Sequence, residues 1–419
     1  MIDKVIMRLI KDNKVTILLA LFGFTYLLWQ APIRYILEGV LLTDFRSFYF
    51  AGRSILNEGN IYDHNSLIAY ADGSGYSGYV FPYVYPPLLA FYSAPLWHLL
   101  DGREATLLWM LLSIVLGVFI LVAVTHLASA LFNQKTKGKN TVLPWLSLFL
   151  FVVLPFGNNL RLGQVNIVVL AFISASLVLS LLYNRDLPAG CLLAPGILIK
   201  MTPLVLLPYF VLNKHYKMLY GCVMGIMALS MPTLVTSHGL KTWGFFLDFA
   251  DTMGYGKTIP GLPDVASVPN FSVAGWAARL TVSQSTISFV TQIVLALLGL
   301  GLLWQHWRLR QNSQGKLLLL PYLILMIIAS PFTYLHHIIY IYPGLLLTIW
   351  AVWDGCCRLR VPLLFCLISL TIIASIDLPA MYKDVDLQMT ILSSLNLYAL
   401  LCLFGIGLIV PNLCIMVKE

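Results

Sequence analysis

Apolar runs separated by short polar segments recur along almost the whole chain. Runs long enough to cross a bilayer, or nearly so, predict membrane helices at ten places. They are residues 15–38, 104–132, 142–157, 165–184, 217–236, 286–306, 317–331, 338–353, 361–378 and 391–412. The first run follows a basic N-terminus and has no small-residue cleavage site, so it predicts a retained span rather than a signal peptide.

Two shorter apolar segments have more than one interpretation. Residues 85–100 are long enough only for a tilted or partial helix, and residues 189–212 carry Lys200 and Pro203 in their middle. Proline interrupts the hydrogen-bond ladder of a helix and disfavours helix at the residue before it. We therefore expect 189–212 to be a hairpin of two short helices with Lys200 near its turn.

Clusters of basic residues test the topology. If 85–100 stays on the outer side and 189–212 is a hairpin, every cluster lies in the cytoplasm, as positive loops usually do. This reading gives about 12 spans with both ends inside. A rival reading makes each segment one full span and exports the cluster at 135–139. The clusters are Lys4, Arg8, Lys11 and Lys14; Lys135, Lys137 and Lys139; Arg185; Lys214 and Lys217; Arg308, Arg310 and Lys316; and Arg358 and Arg360.

In the preferred topology the polar loops gather on the outer face. They are 41–84, 158–164, the turn at Lys200, 237–285, 332–337 and 379–390. The first and fourth are too long for simple turns, and both contain apolar stretches that predict interfacial amphipathic helices.

Composition agrees with a polytopic membrane protein, since 59% of residues are hydrophobic, 11% are charged and the mean hydropathy is +0.85. The net charge of +8 comes mostly from the short basic clusters, so it does not indicate nucleic-acid binding. The seven cysteines avoid the two long polar loops, which argues against a disulfide framework. No HExxH, zinc-type Cys/His spacing, P-loop or DxD-type motif stands out, so no metal or cofactor is predicted.

Asp44 is the strongest candidate for chemistry. It follows the first span, close to Arg46, Tyr49 and Arg53, and an acidic residue beside a membrane span is costly unless it is used. It could act as a general base. Alternatively, it caps a helix over residues 45–56.

Other candidates stand at the ends of apolar runs. Tyr83 and Tyr85 precede two prolines at the head of a helix, where they could stack on a sugar, bind a headgroup or join an aromatic belt. Arg161 suits a phosphate, and Gln164 and Asn166 suit sugar hydroxyls, although this Arg could instead pair with lipid headgroups.

Three cationic or titratable side chains could neutralise an anion. Lys200 lies in an apolar segment and is costly there unless it meets an anion or reaches water by snorkelling. One of His336 and His337 could face a polar cavity and bind a phosphate, or both could be ordinary interfacial histidines.

Taken in order, these residues resemble glycosyltransferase family 87, a GT-C-type family of polytopic enzymes that includes mycobacterial mannosyltransferases of phosphatidylinositol mannoside synthesis. The resemblance runs from about residue 40 to about residue 345. The family's usual tryptophan before the paired histidines is replaced by Tyr334, and its Gly-Asn-Gln-Ser run reads Pro-Asn-Phe-Ser. The matching pieces are Asp44 with Tyr49, GNIYD at 59–63, YVYPPL at 83–88, RLGQVN at 161–166, IKMTPL at 199–204, NFSVAG at 270–275 with Arg279, and SPFTYLHH at 330–337.

The resemblance implies an inverting, metal-independent transfer of a hexose, in the first place mannose, from a polyprenyl-phosphate donor to a lipid or lipid-linked glycan. It gives Asp44 the role of general base. Lys200, Arg161, His336 and His337 become candidates for the donor phosphate. The candidates for sugar or acceptor contacts are Tyr49, Tyr83, Tyr85, Gln164, Asn166, Asn270, Ser272 and Arg279.

The expected architecture is an all-α integral membrane protein, a GT-C-type bundle of about 12 membrane helices. Residues 1–345 would form the catalytic module with outer loops 41–84 and 237–285, and residues 346–419 would form C-terminal helices. We expect a bacterial inner membrane, an active site on the extracytoplasmic side, membrane lipids as surroundings and no obligate protein partner. The alternative function is a transporter or flippase of a lipid-linked saccharide, which should carry polar residues deep in several spans.

Overall fold

All regular secondary structure is helical in the part of the chain that is described by the computed structural model. That part comprises residues 42–57, 59–76, 78–132, 142–311, 313–354, 359–377 and 394–415, together with Leu18, Leu21 and Thr25. No strand occurs within these residues. Apart from Leu18, Leu21 and Thr25, the predicted first span at 15–38 lies outside the described residues, as does the predicted loop at 379–390.

The helices follow the apolar runs closely. They are α1 (Phe45–Ile55), α2 (His64–Gly73), α3 (Leu88–Leu99), α4 (Gly102–Phe132), α5 (Val142–Val153), α6 (Phe156–Leu162), α7 (Asn166–Leu181), α8 (Asp186–Ile199), α9 (Leu207–Leu212), α10 (Lys217–Leu234), α11 (Ser237–Thr252), α12 (Val273–Leu280), α13 (Gln284–Leu309), α14 (Leu319–Ile328), α15 (Tyr342–Asp354), α16 (Arg360–Ala374) and α17 (Leu395–Ile415). Short 3₁₀ turns cover Thr202–Leu206, Ser313–Leu318 and Leu335–Ile341.

Five helical segments in the described residues are long and apolar enough to cross a membrane, or six if the bent pair α5 and α6 counts as one span. The five are Gly102–Phe132, Lys217–Leu234, Gln284–Leu309, Leu335–Trp353 and Leu395–Leu413. Helix α13 leaves large apolar side chains exposed along its length, such as Phe289, Leu297 and Trp304. Exposed apolar surface of this extent is typical of lipid contact. The protein is therefore an all-α membrane protein.

Residues 186–215 form the predicted hairpin. Helix α8 ends at Ile199, just before Lys200, the chain turns through Thr202–Leu206, and α9 leads back toward the start of α8. The return is fixed by His215, whose Nδ1 lies 2.8 Å from Oδ1 of Asp186. Lys200 and the Asp186–His215 pair therefore lie at opposite ends of the hairpin.

Helix α10 then runs beside α8 in the same direction, at very close range. A Cβ atom on Gly190 would lie 2.2 Å from the carbonyl oxygen of Met218, and one on Gly221 would lie 2.1 Å from that of Leu187. Only glycine lets the two backbones approach this closely, which is a common device in membrane helix pairs.

The basic loops of this region share one end of the bundle. Tyr209 of α9 donates a hydrogen bond to the carbonyl oxygen of Lys316, and a Cβ on Gly315 would lie 2.8 Å from Oδ1 of Asn213. Lys316 thus lies beside the loop that carries Lys214. Lys200 is at the other end, as the preferred topology predicts.

Three other segments refine the predictions. Residues 85–100 contain only the 12-residue helix α3, about 18 Å long and too short to cross a 30 Å core. The predicted loop at 158–164 is instead mostly helix, because α6 continues the apolar run to Leu162. Helix α1 confirms the predicted helix at 45–56, but nine of its eleven residues are buried.

The proposed division of the chain between residues 345 and 346 falls inside the helical segment Leu335–Trp353 and stays a prediction.

Candidate active site

A cavity of about 660 Å³ opens where α1, α6, α8 and the 3₁₀ turn before α15 come together. Most of its wall is apolar, formed by residues such as Phe48, Val84, Phe246 and Met326. Its polar and charged lining consists of Thr43, Asp44, Ser47, Tyr85, Asn158, Arg161, Gln164, Lys200, Thr202, Ser330, Tyr334, His336, His337 and Asp377. Apolar walls with a few convergent polar groups are typical of a small-molecule site.

Asp44 occupies the N-cap position of α1, but its side chain makes no capping hydrogen bond. Its carboxylate instead accepts a hydrogen bond from Nε2 of Gln164. Burial raises the pKa of Asp44 to about 6, against the opposing effects of the Gln164 hydrogen bond and the positive charges of Lys200 and Arg46. The side chain of Asp44 therefore does not cap α1, and the capping interpretation is wrong.

The turn after α6 places Gln164 beside Asp44. Gly163 has a φ of +70°, and a Cβ there would lie 2.7 Å from Cβ of Phe45. Both the left-handed conformation and the lack of space require glycine. The backbone N–H of Asp44 donates to the carbonyl oxygen of Leu162, and the indole of Trp109 donates to that of Gly163, which fixes this turn against α1.

Lys200 reaches the cavity from the turn of the hairpin. Its Nζ lies 2.9 Å from Oδ1 of Asn166 and 2.6 Å from Nε2 of His337. The rings of Tyr85 and Tyr340 flank it, with Nζ 5.9 Å from each ring centroid, so cation–π attraction also contributes. The amine is thereby held by amide, imidazole and aromatic groups, with no carboxylate among these direct contacts.

Asn166 is the centre of a buried polar network. Its Oδ1 accepts hydrogen bonds from Lys200 and from the Tyr340 hydroxyl, while its Nδ2 donates to Oδ1 of Asn159 and to the carbonyl oxygen of His336. The side chain of Asn166 is fully buried. The network therefore links α7 to the turn that carries both histidines.

The structure brings together some of the predicted site residues around the cavity and places others elsewhere. Arg161 is exposed at the rim, and Tyr85 lines the wall. Tyr49 and Tyr83 do not line the cavity: Tyr49 bonds to Leu100 and Arg53, and the Tyr83 hydroxyl bonds to the backbone of the Pro86–Ala90 turn.

Three further predicted residues, Asn270, Ser272 and Arg279, also lie outside the cavity lining. They belong to one hydrogen-bonded cluster. Asn270 Nδ2 donates to the carbonyl oxygens of Val265 and Pro331, and Ser272 caps α12 while donating to Pro331. Arg279 donates to the backbone of Ser267 and Asn270 and to the Ser394 hydroxyl. In this structure the three residues hold the second long loop against the segment that leads to the histidines.

Sequence reasoning missed seven polar residues of the lining, which are Thr43, Ser47, Asn158, Thr202, Ser330, Tyr334 and Asp377. Asp377 follows α16 directly, and the signal that identified Asp44, a carboxylate at the end of an apolar run, could have identified it too. The other six lie one to six residues from predicted site residues. Among the described residues, no group of three or more His, Cys, Asp or Glu side chains is arranged to hold a metal ion.

Comparison with known proteins identifies the family. The family model described as glycosyltransferase family 87 matches residues 83–331, which is more than half of the chain. The match includes Gln164 and Lys200, whereas Asp44 and the paired histidines lie outside it.

Two curated proteins are similar over much of the chain. A polyprenol-phosphate-mannose-dependent alpha-(1-2)-phosphatidylinositol mannoside mannosyltransferase of Mycolicibacterium smegmatis is 26% identical over 302 residues, which cover 67% of this chain and 65% of that protein. The protein of the same name from Mycobacterium tuberculosis is 23% identical over 282 residues, 63% of this chain and 61% of the relative. The aligned region thus falls just short of two thirds of each relative's length. By the family match over more than half its residues, the chain belongs to glycosyltransferase family 87.

Proposed function

We propose that the protein is an inverting, metal-independent glycosyltransferase that moves a hexose from a polyprenyl-phosphate donor to a lipid or lipid-linked glycan. The observation that carries the proposal is the pairing, in one cavity, of a buried carboxylate at Asp44 with an amine at Lys200. Transfer of a sugar from a phosphate needs a base for the acceptor and a positive charge for the leaving group, and these two side chains have that chemistry.

The reaction proceeds in one displacement. An acceptor hydroxyl beside Asp44 gives its proton to the carboxylate as its oxygen bonds to the anomeric carbon. The bond from that carbon to the phosphate oxygen breaks on the opposite face, so the anomeric configuration inverts. The electron pair leaves with the polyprenyl phosphate, whose charge Lys200 neutralises, assisted by Arg161 at the rim and by His336 or His337.

Mannose is the first sugar to test, because the two similar mycobacterial proteins are named for dependence on polyprenol-phosphate mannose. Their printed names also support a phosphatidylinositol mannoside as one class of acceptor. The apolar walls of the cavity suit lipid-linked substrates of this kind.

We further propose about 12 membrane spans in a GT-C-type arrangement, with interfacial segments in the first outer loop and the cavity on the extracytoplasmic side of a bacterial inner membrane. The separation of Lys200 from the basic loops supports this orientation, since positive loops favour the cytoplasm.

The test is mannose transfer by the purified protein in lipid vesicles supplied with radiolabelled polyprenyl-phosphate mannose and a glycolipid acceptor. Native protein should transfer the sugar, and Asp44→Asn should lose at least 10²-fold of the rate. Asp72→Asn is the matched control, because Asp72 is exposed on α2 and lies outside the cavity lining.

Equal rates of transfer for the native protein and Asp44→Asn would remove Asp44 from the mechanism. Movement of the intact lipid-linked sugar across the bilayer without transfer would identify a flippase instead.

A further inference from the structure

Four buried polar atoms of the cavity lining have no hydrogen-bond partner among the described residues. They are Oδ1 of Asn158, Oε1 of Gln164, Oγ1 of Thr202 and the hydroxyl oxygen of Tyr334. A buried polar group without a partner costs about 1–3 kcal/mol, so it is uncommon in a folded protein. Four such atoms on one cavity indicate groups that are reserved for a ligand.

The four atoms differ in what they can bind. The amide of Gln164 is oriented by Asp44, because its Nε2 must face the carboxylate, so its Oε1 can only accept a hydrogen bond. The hydroxyls of Thr202 and Tyr334 can donate. An anion accepts hydrogen bonds and cannot provide them, so these two hydroxyls suit an anionic group and the free oxygen of Gln164 does not.

Both hydroxyls belong to the surroundings of Lys200. Thr202 is two residues further along the same turn. Tyr334 contacts His337, whose Nδ1 lies 3.2 Å from the Tyr334 carbonyl oxygen and whose Nε2 lies 2.6 Å from Lys200 Nζ. The ammonium group has three protons. Two of them are directed at Asn166 and His337, which leaves one for a ligand.

We propose that the hydroxyls of Thr202 and Tyr334 bind the phosphate oxygens of the donor beside Lys200, an inference that rests on the proposed function. The remaining proton of Lys200 and the two hydroxyls give three donors for a phosphate group. Oε1 of Gln164 remains for a hydroxyl of the acceptor sugar next to Asp44. In this arrangement, hydrogen-bond donors hold the phosphate, and a hydrogen-bond acceptor, Oε1 of Gln164, holds the hydroxyl of the acceptor sugar.

The test measures binding without turnover. Native protein, Thr202→Val and Tyr334→Phe are reconstituted in nanodiscs and titrated with farnesyl phosphate, a short polyprenyl phosphate without sugar, and with farnesol, which lacks the phosphate. Native protein should prefer the phosphate. Each variant should bind farnesyl phosphate about 10-fold more weakly, as expected for one hydrogen bond to a charged group, and bind farnesol unchanged.

Thr291→Val is the matched control. Thr291 is a fully buried threonine on α13, outside the cavity lining. Its hydroxyl, like that of Thr202, has no partner among the described residues. Thr291→Val should bind both lipids as the native protein does. Because the hydroxyls removed at Thr202 and Tyr334 make no hydrogen bond to the described residues, neither variant should lower the melting temperature.

Unchanged affinity for farnesyl phosphate in both variants would overturn the proposal, even if sugar transfer falls, because the hydroxyls would then contact the sugar. A weaker affinity for farnesol as well as for farnesyl phosphate would also overturn it, since the loss would not concern the phosphate. If the binding pattern holds and the native protein transfers no sugar from any polyprenyl-phosphate donor, the proposed function fails and the phosphate site stands.

Discussion

Nε2 of Gln164 donates a hydrogen bond to the carboxylate of Asp44, although 120 residues separate the two along the chain. Burial raises the pKa of Asp44, and a hydrogen bond to the charged form lowers it. The balance, a pKa of about 6, leaves the carboxylate ionised at neutral pH yet more basic than an exposed aspartate. Gln164 therefore sets the strength of the proposed base as well as its position.

This balance predicts the pH dependence of transfer. The base works only when it is deprotonated, so kcat/KM should rise with pH through about 6. Gln164→Met removes the hydrogen bond that lowers the pKa of Asp44, so the rise should move to higher pH. Initial rates between pH 4.5 and 8.5 test both statements. A midpoint that stays in place in Gln164→Met would contradict this role of Gln164.

Lys200 should be needed for the leaving group. Lys200→Met keeps most of the side-chain volume but removes the charge, and transfer should fall by about 10²–10³-fold, as for loss of one preorganised electrostatic contact. The rate with saturating donor is the measurement. Lys241→Met, at an exposed lysine of α11, is the matched control and should retain the native rate. A Lys200→Met enzyme as fast as this control would exclude the role.

Asp44 and Lys200 could be predicted from the sequence because placing a charged group in apolar surroundings costs free energy. A carboxylate and an amine in apolar surroundings need a reason to be there, and the structure places both on one cavity. The same reasoning found the hairpin at Lys200, because proline and lysine in one apolar run are both unfavourable in a continuous span. Charge and helix interruption are local properties, and the sequence displays them directly.

The partners of these residues were not predictable in the same way. That Gln164 bonds to Asp44, and Asn166 to Lys200, depends on how helices pack across more than 30 residues of intervening chain. Asn166 and Asn270 have side chains that suit a sugar or a backbone equally well, and sequence alone does not separate these uses. In the structure both are fully buried and bonded to the protein.

Gly163→Ala should lower both the stability of the protein and the rate of transfer, although Gly163 itself does not line the cavity. Alanine is strained at a φ of +70°, and its Cβ would meet Phe45 and Leu42 at 2.7–2.9 Å. We expect a loss of about 1–3 kcal/mol in the free energy of unfolding, together with reduced transfer as Gln164 moves. Gly244→Ala is the control, because a Cβ on this helical glycine has no atom within 4 Å. Melting in detergent and the rate of transfer should separate the two variants.

Asn270→Ala should act mainly on stability. Besides the bonds that it donates, Asn270 Oδ1 accepts from the backbone N–H groups of Ser272 and Thr333, so alanine leaves several buried groups without partners. The melting temperature should fall by several degrees, equivalent to a few kcal/mol. The KM for the donor, measured at a temperature where the variant is folded, should stay near the native value. A raised KM with native melting would instead assign Asn270 to sugar binding, as the sequence predicted.

The orientation in the membrane is testable with two exposed positions. Asp264 lies in the second long loop, next to Pro263 of the cavity lining, and Lys214 lies in the basic loop at the opposite end of the hairpin. Asp264→Cys should react with a membrane-impermeant thiol reagent in intact cells, and Lys214→Cys only after permeabilisation. Native protein, treated in parallel, gives the background from its own cysteines. The opposite pattern would place the cavity in the cytoplasm, where the proposed outer-face transfer could not occur.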